Sequence, residues 1–218
     1  MKKIIFTWDD NFHRHYSRVA PLFEKKGIRC TFYVNPGWRS FEDKYLKGYK
    51  HLSDIGFEIG SHGLFHKDLT KLSFTEYEWQ LKQSKILLES YLKKPVYTFA
   101  FPHHKFSAEM LEIAKKHYIE TRNTIPNSIR YSLKTELDIN NALETSSEIL
   151  NDNKILVFSG HNIVISKNEL IAKKSTIGYE PILLSDLEIL LEKLVDAYGT
   201  EIFTTVANIS NVKGNNYE

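Results

Sequence analysis

Short apolar runs alternate with amphipathic helical patterns along the chain, and glycine, proline or polar residues separate them. Runs rich in β-branched and aromatic residues predict strands at 3–8, 28–34, 57–60, 96–101, 154–159 and 201–206. The 3.6-residue pattern predicts helices at 13–26, 73–92, 107–117 and 186–198. This alternation predicts one α/β domain over residues 1–218, built on a parallel sheet that is closed or nearly closed as a barrel.

Two of the predicted helices carry signals for their ends. Ser73 and Glu76 predict a capping box at the start of the second helix. Ser185 with Glu188 predicts a similar start for the last helix, and Gly199 predicts its end.

Polar side chains follow four of the predicted strands. They are Asp9 and Asp10, His62 and His66, His103 and His104, and His161. In a parallel barrel the carboxyl ends of the strands share one face, and active sites are built there. The sequence therefore predicts that four separate segments converge on one cleft.

These residue types point to metal-assisted hydrolysis. Two imidazoles and one carboxylate leave an open position on a divalent ion, as a catalytic site requires. A second carboxylate would then serve as general base, and a further histidine as general acid. Two alternatives stand beside this: an Asp-Asp pair also suits a turn before a helix, and histidines four apart are common on helix surfaces. Gly60 and Gly63 favour a loop around His62 and His66.

Charge and cysteine content exclude several classes of protein. The 218 residues include 29 basic and 27 acidic side chains, a net charge of +2, so no electrostatic footprint for nucleic acid is present. Cys30 is the single cysteine, which excludes an intramolecular disulfide. No apolar run approaches the roughly 18 residues of a membrane span, and no signal peptide is visible, so a cytoplasmic protein is expected.

Four segments resemble the motifs of one enzyme family. Residues 7–11 (T-W-D-D-N) resemble the T-F-D-D-G motif of the NodB-type polysaccharide deacetylases, carbohydrate esterase family 4. Residues 62–69 resemble the H-S/T-x-x-H-P-x-L motif, and 99–102 and 156–161 resemble the third and last motifs. The resemblance covers about residues 4–206.

The resemblance implies a fold, a reaction and a set of roles. The fold would be a distorted parallel (β/α) barrel with fewer than eight regular strands. Asp9 would be the general base and His161 the general acid. Asp10, His62 and His66 would bind one divalent ion; zinc is the first expectation, and manganese, cobalt, nickel and iron accept the same ligands. The reaction would remove an N-acyl group, usually acetyl, from an amino sugar in a polysaccharide or glycoconjugate precursor.

The chain departs from the family motifs at several positions. Asn11, Gly63, Lys67 and Ala100 stand where the family usually has Gly, Ser or Thr, Pro, and an Arg that orients the base. The fourth family motif has no clear counterpart, although Asp138 lies in the right region. Two alternatives therefore stay open: a catalytically impaired carbohydrate-binding or scaffold member of the same fold, and a hydrolase of a non-sugar amide or formamide.

Substrate contacts are predicted at residues near the strand ends. Trp8, Trp38, Pro102 and His103 are the candidates, and core packing explains the aromatic ones equally well. Residues 162–184 form a long connection. They would be either a lid or a contact between copies of the chain in a homo-oligomer.

Overall fold

Strands and helices alternate along the structure, a computed structural model that describes residues 2–37, 43–135, 137–174 and 181–211. The strands are β1 (Lys3–Asp9), β2 (Thr31–Val34), β3 (Glu58–Ser61), β4 (Thr98–Phe99), β5 (Glu120–Thr121), β6 (Ser128–Ser132), β7 (Ile155–Gly160), β8 (Ile163–Val164), β9 (Ile182–Leu183) and β10 (Phe203–Thr204). The helices are α1 (Ala20–Lys25), α2 (Asp43–Asp54), α3 (Phe74–Leu92), α4 (Ala108–Lys115), α5 (Ile139–Asn151), α6 (Lys167–Lys174), α7 (Leu184–Tyr198) and α8 (Val206–Asn211). None of the described helices is long and apolar enough to cross a bilayer.

The chain divides into two compact units. The first unit comprises Met1–Cys30 and Asn127–Thr204, and the second comprises Thr31–Pro126 and Thr205–Glu218. In the first unit, β1 pairs in parallel with β7 and β10, and β7 with β6. In the second unit, β2, β3, β4 and β5 pair in parallel in that order.

The register of the first unit depends on close packing between β1 and β7. Six consecutive residues of β1 are buried, as expected for a parallel strand covered on both faces. Trp8 lies opposite Gly160, and a Cβ atom at Gly160 would come within 2.6 Å of the indole ring. Glycine is therefore needed there, and the pairing continues up to Trp8 and Gly160, the residues directly before Asp9 and His161.

The register of the second unit aligns the ends of its four strands. Val34 pairs with Ser61, Ser61 with Phe99, and Phe99 with Thr121. The residues that come next on the four strands therefore lie side by side. They are Asn35, His62, Ala100 and Arg122.

The helix ends confirm one sequence prediction and contradict another. The Ser73 hydroxyl accepts from the Glu76 amide at 3.3 Å, and the Glu76 carboxylate accepts from the Ser73 amide at 3.0 Å, which confirms the capping box of α3. The predicted cap at Ser185 is wrong. Strand β9 runs directly into α7, Leu183 occupies the N-cap position, and Ser185 lies inside the first turn.

The segment predicted as a strand at 201–206 is a two-residue strand followed by α8. The amide of Val206 donates to the Thr31 hydroxyl at 3.2 Å, and the amide of Ala207 donates to the Glu58 carboxylate at 3.0 Å. These side chains satisfy the first amides of a helix, which ends the strand early. Burial raises the pKa of Glu58, and the hydrogen bonds that it accepts oppose that change.

Candidate metal centre and catalytic pair

Strand β3 places His62 directly past its carboxyl end, and neighbouring strands fix its ring. The His62 side chain is buried, and its Nδ1 lies 2.7 Å from the carbonyl oxygen of Ala100. Because a carbonyl only accepts, Nδ1 carries the proton and donates. Nε2 is then the nitrogen with a lone pair, which is the tautomer that a metal ligand needs.

Asn35, which sequence reasoning missed, supports the same loop. Its buried side-chain amide donates to the carbonyl oxygens of His62 and Gly63, the latter at 3.2 Å. Gly63 has φ of +76°, a left-handed conformation that glycine adopts without strain. A polar residue immediately after the apolar strand β2 was the signal that could have identified Asn35.

His66 is half-buried and lies beside two other imidazoles. Its ring centroid is 5.2 Å from that of His62 and 4.6 Å from that of His103. Partial desolvation lowers the pKa of His103, with repulsion from His66 as the second cause. The described neighbour of the His103 ring is thus the imidazole of His66.

Asp9 is the last residue of strand β1 and Asp10 follows it, and each is 1% exposed. Asp10, His62 and His66 each offer one ligand atom, and these atoms lie within 4.8 Å of one another. One carboxylate and two imidazoles are a donor set suited to zinc and to other divalent transition metals, with positions left for water or substrate. They are the residues that the sequence analysis named as ligands, and the donor chemistry fits such an ion.

Asp9 and His161 form a pair within the first unit. Nε2 of His161 lies 3.9 Å from Oδ2 of Asp9 and 4.0 Å from Oδ2 of Asp10. These distances are beyond hydrogen-bonding range but within reach of electrostatic attraction. The His161 side chain is 27% exposed, so its ring is accessible while the carboxylates are buried. A buried carboxylate and an accessible imidazole suit proton transfer.

His15 holds the backbone of His161 in place and was also missed. Burial lowers the pKa of His15 to about 4, so its ring is neutral at physiological pH. Nε2 of His15 donates to the His161 carbonyl oxygen at 2.7 Å. His15 begins a π-helical turn, His15–Val19, that precedes α1; such turns are frequent at functional sites. The sequence pattern alone does not distinguish His15 from His13.

The candidate substrate residues have different environments. Trp8 has no exposed surface, which indicates core packing and not a sugar contact. Pro102 is also buried, whereas His103 is exposed. Trp38 lies outside the described residues.

The altered third motif has a buried arginine beside it. Ala100 has no polar side chain to offer, but Arg122 follows β5 at the equivalent register position. Arg122 is 3% exposed, and its guanidinium lies 5.1 Å from the Tyr33 ring centroid, a cation–π contact. Asp138 caps α5 by accepting from the Asn141 amide at 3.0 Å, which is a structural role.

Comparisons with known sequences find the same family that the motifs resemble. A model of the polysaccharide deacetylase family matches residues 1–121, more than half of the chain. The putative polysaccharide deacetylase YxkH of Bacillus subtilis (strain 168) is 23% identical over 118 residues, 53% of this chain and 42% of that protein. A chitin deacetylase of Pestalotiopsis sp is 32% identical over 93 residues, 42% of this chain and 31% of that protein. The chain thus spans less than half the length of these curated relatives.

A solved structure has a similar fold over nearly the whole chain. The Xyl-CE4 domain of a multidomain xylanase from the hindgut metagenome of Trinervitermes trinervoides has a TM-score of 0.63 at 18% identity. The similarity covers 99% of this chain and 92% of that one. The α/β fold predicted from the sequence, a distorted parallel (β/α) barrel of the NodB type, is confirmed.

Proposed function

Because the chain belongs to the polysaccharide deacetylase family, we propose that it is a metal-dependent hydrolase that removes an N-acetyl group from an amino sugar. The observation that carries the proposal is the donor set of Asp10, His62 and His66, with ligand atoms within 4.8 Å. A bound divalent ion, with zinc as the first expectation, would lower the pKa of a coordinated water and polarise the substrate carbonyl.

Asp9 and His161 carry the proton transfers in this proposal. Asp9 takes a proton from the attacking water as the new C–O bond forms. His161 gives a proton to the amide nitrogen as the C–N bond breaks, so that acetate and a free amino sugar leave. The separation of 3.9 Å supports this division, because the His161 ring is not committed to Asp9 by a hydrogen bond. Its partial exposure gives it access to a substrate.

The second unit holds its ligands in the required form. The hydrogen bond from Nδ1 of His62 to Ala100 selects the tautomer whose Nε2 binds a metal. Asn35 fixes the loop between His62 and His66 through two backbone carbonyls. Both contacts act on the ligands before any substrate arrives.

The proposed substrate class is an N-acetylated amino sugar in a polysaccharide or glycoconjugate precursor. The name of the related chitin deacetylase supports the amino sugar. The preference for a precursor over an exported polymer rests on the predicted cytoplasmic location alone.

The test combines metal analysis with hydrolysis of N-acetylglucosamine oligomers. The purified protein should bind one zinc or cobalt ion and release acetate. Asp10→Ala should lose both metal and activity, whereas Asp9→Asn should keep the metal and lose activity. Asp196→Ala, at an exposed position on α7, is the matched control. Undiminished zinc affinity in Asp10→Ala would show that the ligand assignment is wrong, and turnover of only N-formyl or imide substrates would exclude the sugar.

A second candidate is a carbohydrate-binding member of the family without catalysis. Ala100, in place of the family's orienting arginine, is the observation that favours it. Glycan binding by a protein that holds no metal, with no turnover after addition of zinc or cobalt, would support this alternative.

A further inference from the structure

The two predicted histidine ligands differ in what holds their rings. His62 is buried and donates from Nδ1 to the Ala100 carbonyl oxygen at 2.7 Å. His66 is half-buried and lies next to Phe65, which is 39% exposed. A half-buried ligand on a loop depends on outer contacts to keep its ring in one orientation.

The ring of His103 lies against that of His66. The two centroids are 4.6 Å apart and the ring planes meet at 63°, an edge-to-face arrangement that aromatic rings favour. His103 therefore contacts the ring of this ligand directly.

The turn that carries His103 is itself held in an uncommon conformation. His103 and His104 have φ of 56° and 57°, in the left-handed region that is unfavourable for residues other than glycine. Asn123 maintains the turn with both ends of its amide. Its Oδ1 accepts from the Phe101 amide at 3.1 Å, and its Nδ2 donates to Nδ1 of His104 at 3.2 Å. Strained residues of this kind persist where the surrounding structure holds them, and they cluster at functional sites.

We propose that His103 is a positioning residue for His66, holding the second imidazole ligand in its metal-binding orientation. This inference rests on the proposed metal centre, because it assigns a role toward the ion that Asp10, His62 and His66 would bind. It gives the exposed His103 a task that is independent of any sugar contact.

The test measures metal affinity in the full chain by calorimetric titration with zinc, and geometry from the visible spectrum of the cobalt form. His103→Ala removes the ring and should weaken zinc binding about tenfold, within the range for outer contacts of metal ligands. It should also alter the cobalt spectrum. His103→Phe keeps an edge-to-face ring and should bind within about threefold of the unaltered protein. His51→Ala, at an exposed position on α2, is the matched control.

Melting temperatures of the metal-free proteins separate positioning from folding. The proposal expects the same value for His103→Ala and His51→Ala. It is overturned if His103→Ala binds zinc as tightly as the control, or if its lost affinity is matched by a lower metal-free melting temperature. Absence of zinc binding by the unaltered protein would overturn the proposed function itself, whereas tight binding that ignores His103 would overturn this inference alone.

Discussion

His62 in the second unit and His161 in the first each follow a buried parallel strand, but their imidazoles are held in different ways. The His62 ring donates to the Ala100 carbonyl oxygen at 2.7 Å, which fixes its direction and its tautomer. For His161, the buried His15 holds the backbone carbonyl at 2.7 Å, while the ring stays 3.9 Å from Asp9.

This difference matches what each task requires. A metal ligand must present one nitrogen in one direction, so its other nitrogen is committed to the protein. A proton carrier must exchange partners during the reaction, so its backbone can be fixed while its ring keeps an accessible side. We therefore expect changes at Asp9 and around His161 to affect catalysis more than metal binding, and changes beside His62 to affect metal binding.

The largest expected effect is that of Asp9→Asn. Hydrolysis should fall roughly 10²- to 10⁴-fold, the usual contribution of a general base, because the amide cannot accept the proton from water. Metal content should stay at the level of the unaltered protein, and kcat together with elemental analysis measures both. Loss of the metal in this variant would place Asp9 among the ligands and remove the distinction between the proton carriers and the metal ligands.

His15→Gln tests how the first unit supports His161. The pKa of His15 is lowered from 6.5 to about 4 in the folded protein, so between these pH values the unfolded chain binds one more proton. The free energy of unfolding should therefore decrease as the pH falls from 6.5 to 4, by roughly 3 kcal/mol from this residue, since a tenfold change in proton affinity corresponds to about 1.4 kcal/mol.

Glutamine keeps a donor for the His161 carbonyl but does not titrate. The difference in urea unfolding between the unaltered protein and His15→Gln, both metal-free, should diminish as the pH falls through this range. A constant difference would show that folding does not lower the pKa of His15.

Asn35→Ala tests how the second unit supports the loop that carries His62. The change leaves the buried carbonyl groups of His62 and Gly63 without the amide that they accept from, at a cost of about 1–3 kcal/mol in unfolding free energy. Zinc affinity should fall as well, because the loop of the ligands loosens. Asn151→Ala, at an exposed position of α5, is the control. Zinc affinity equal to that of the control would remove Asn35 from the metal centre.

Ser73→Ala has the smallest expected effect. It removes the capping box of α3 and should lower the unfolding free energy by about 1 kcal/mol. Zinc affinity and kcat should not change, since the cap lies outside both groups of functional residues. An altered zinc affinity would show that the start of α3 also supports the ligand loop.

The fold could be predicted because its signals are local. Strands β1 and β7 are continuous apolar runs, and helix α3 carries its capping box in four consecutive residues, 73–76. The wrong cap at Ser185 had the correct residue types, but the apolar pattern of α7 and its direct junction with β9 extended the helix past it. The short strand β10 ended early because side chains distant in sequence bind the first amides of α8.

The residues of the candidate site also divide into those that the sequence identified and those that only the structure revealed. Asp9, Asp10, His62, His66 and His161 were identifiable because each carries reactive chemistry at the end of a predicted strand. The residues that orient them were not identifiable, because their roles depend on backbone partners. They are His15, Asn35 and the carbonyl group of Ala100.

The sequence by itself determined the order of the elements, the family motifs and the chemical types at the strand ends, since these depend on neighbouring residues in the chain. Only the tertiary structure decided which nitrogen of His62 carries the proton, that Trp8 is buried under Gly160, and that His103 packs on His66. Those properties depend on register and on burial, which set the hydrogen-bond partner and the solvent exposure of each side chain. Neither quantity is encoded in a local pattern.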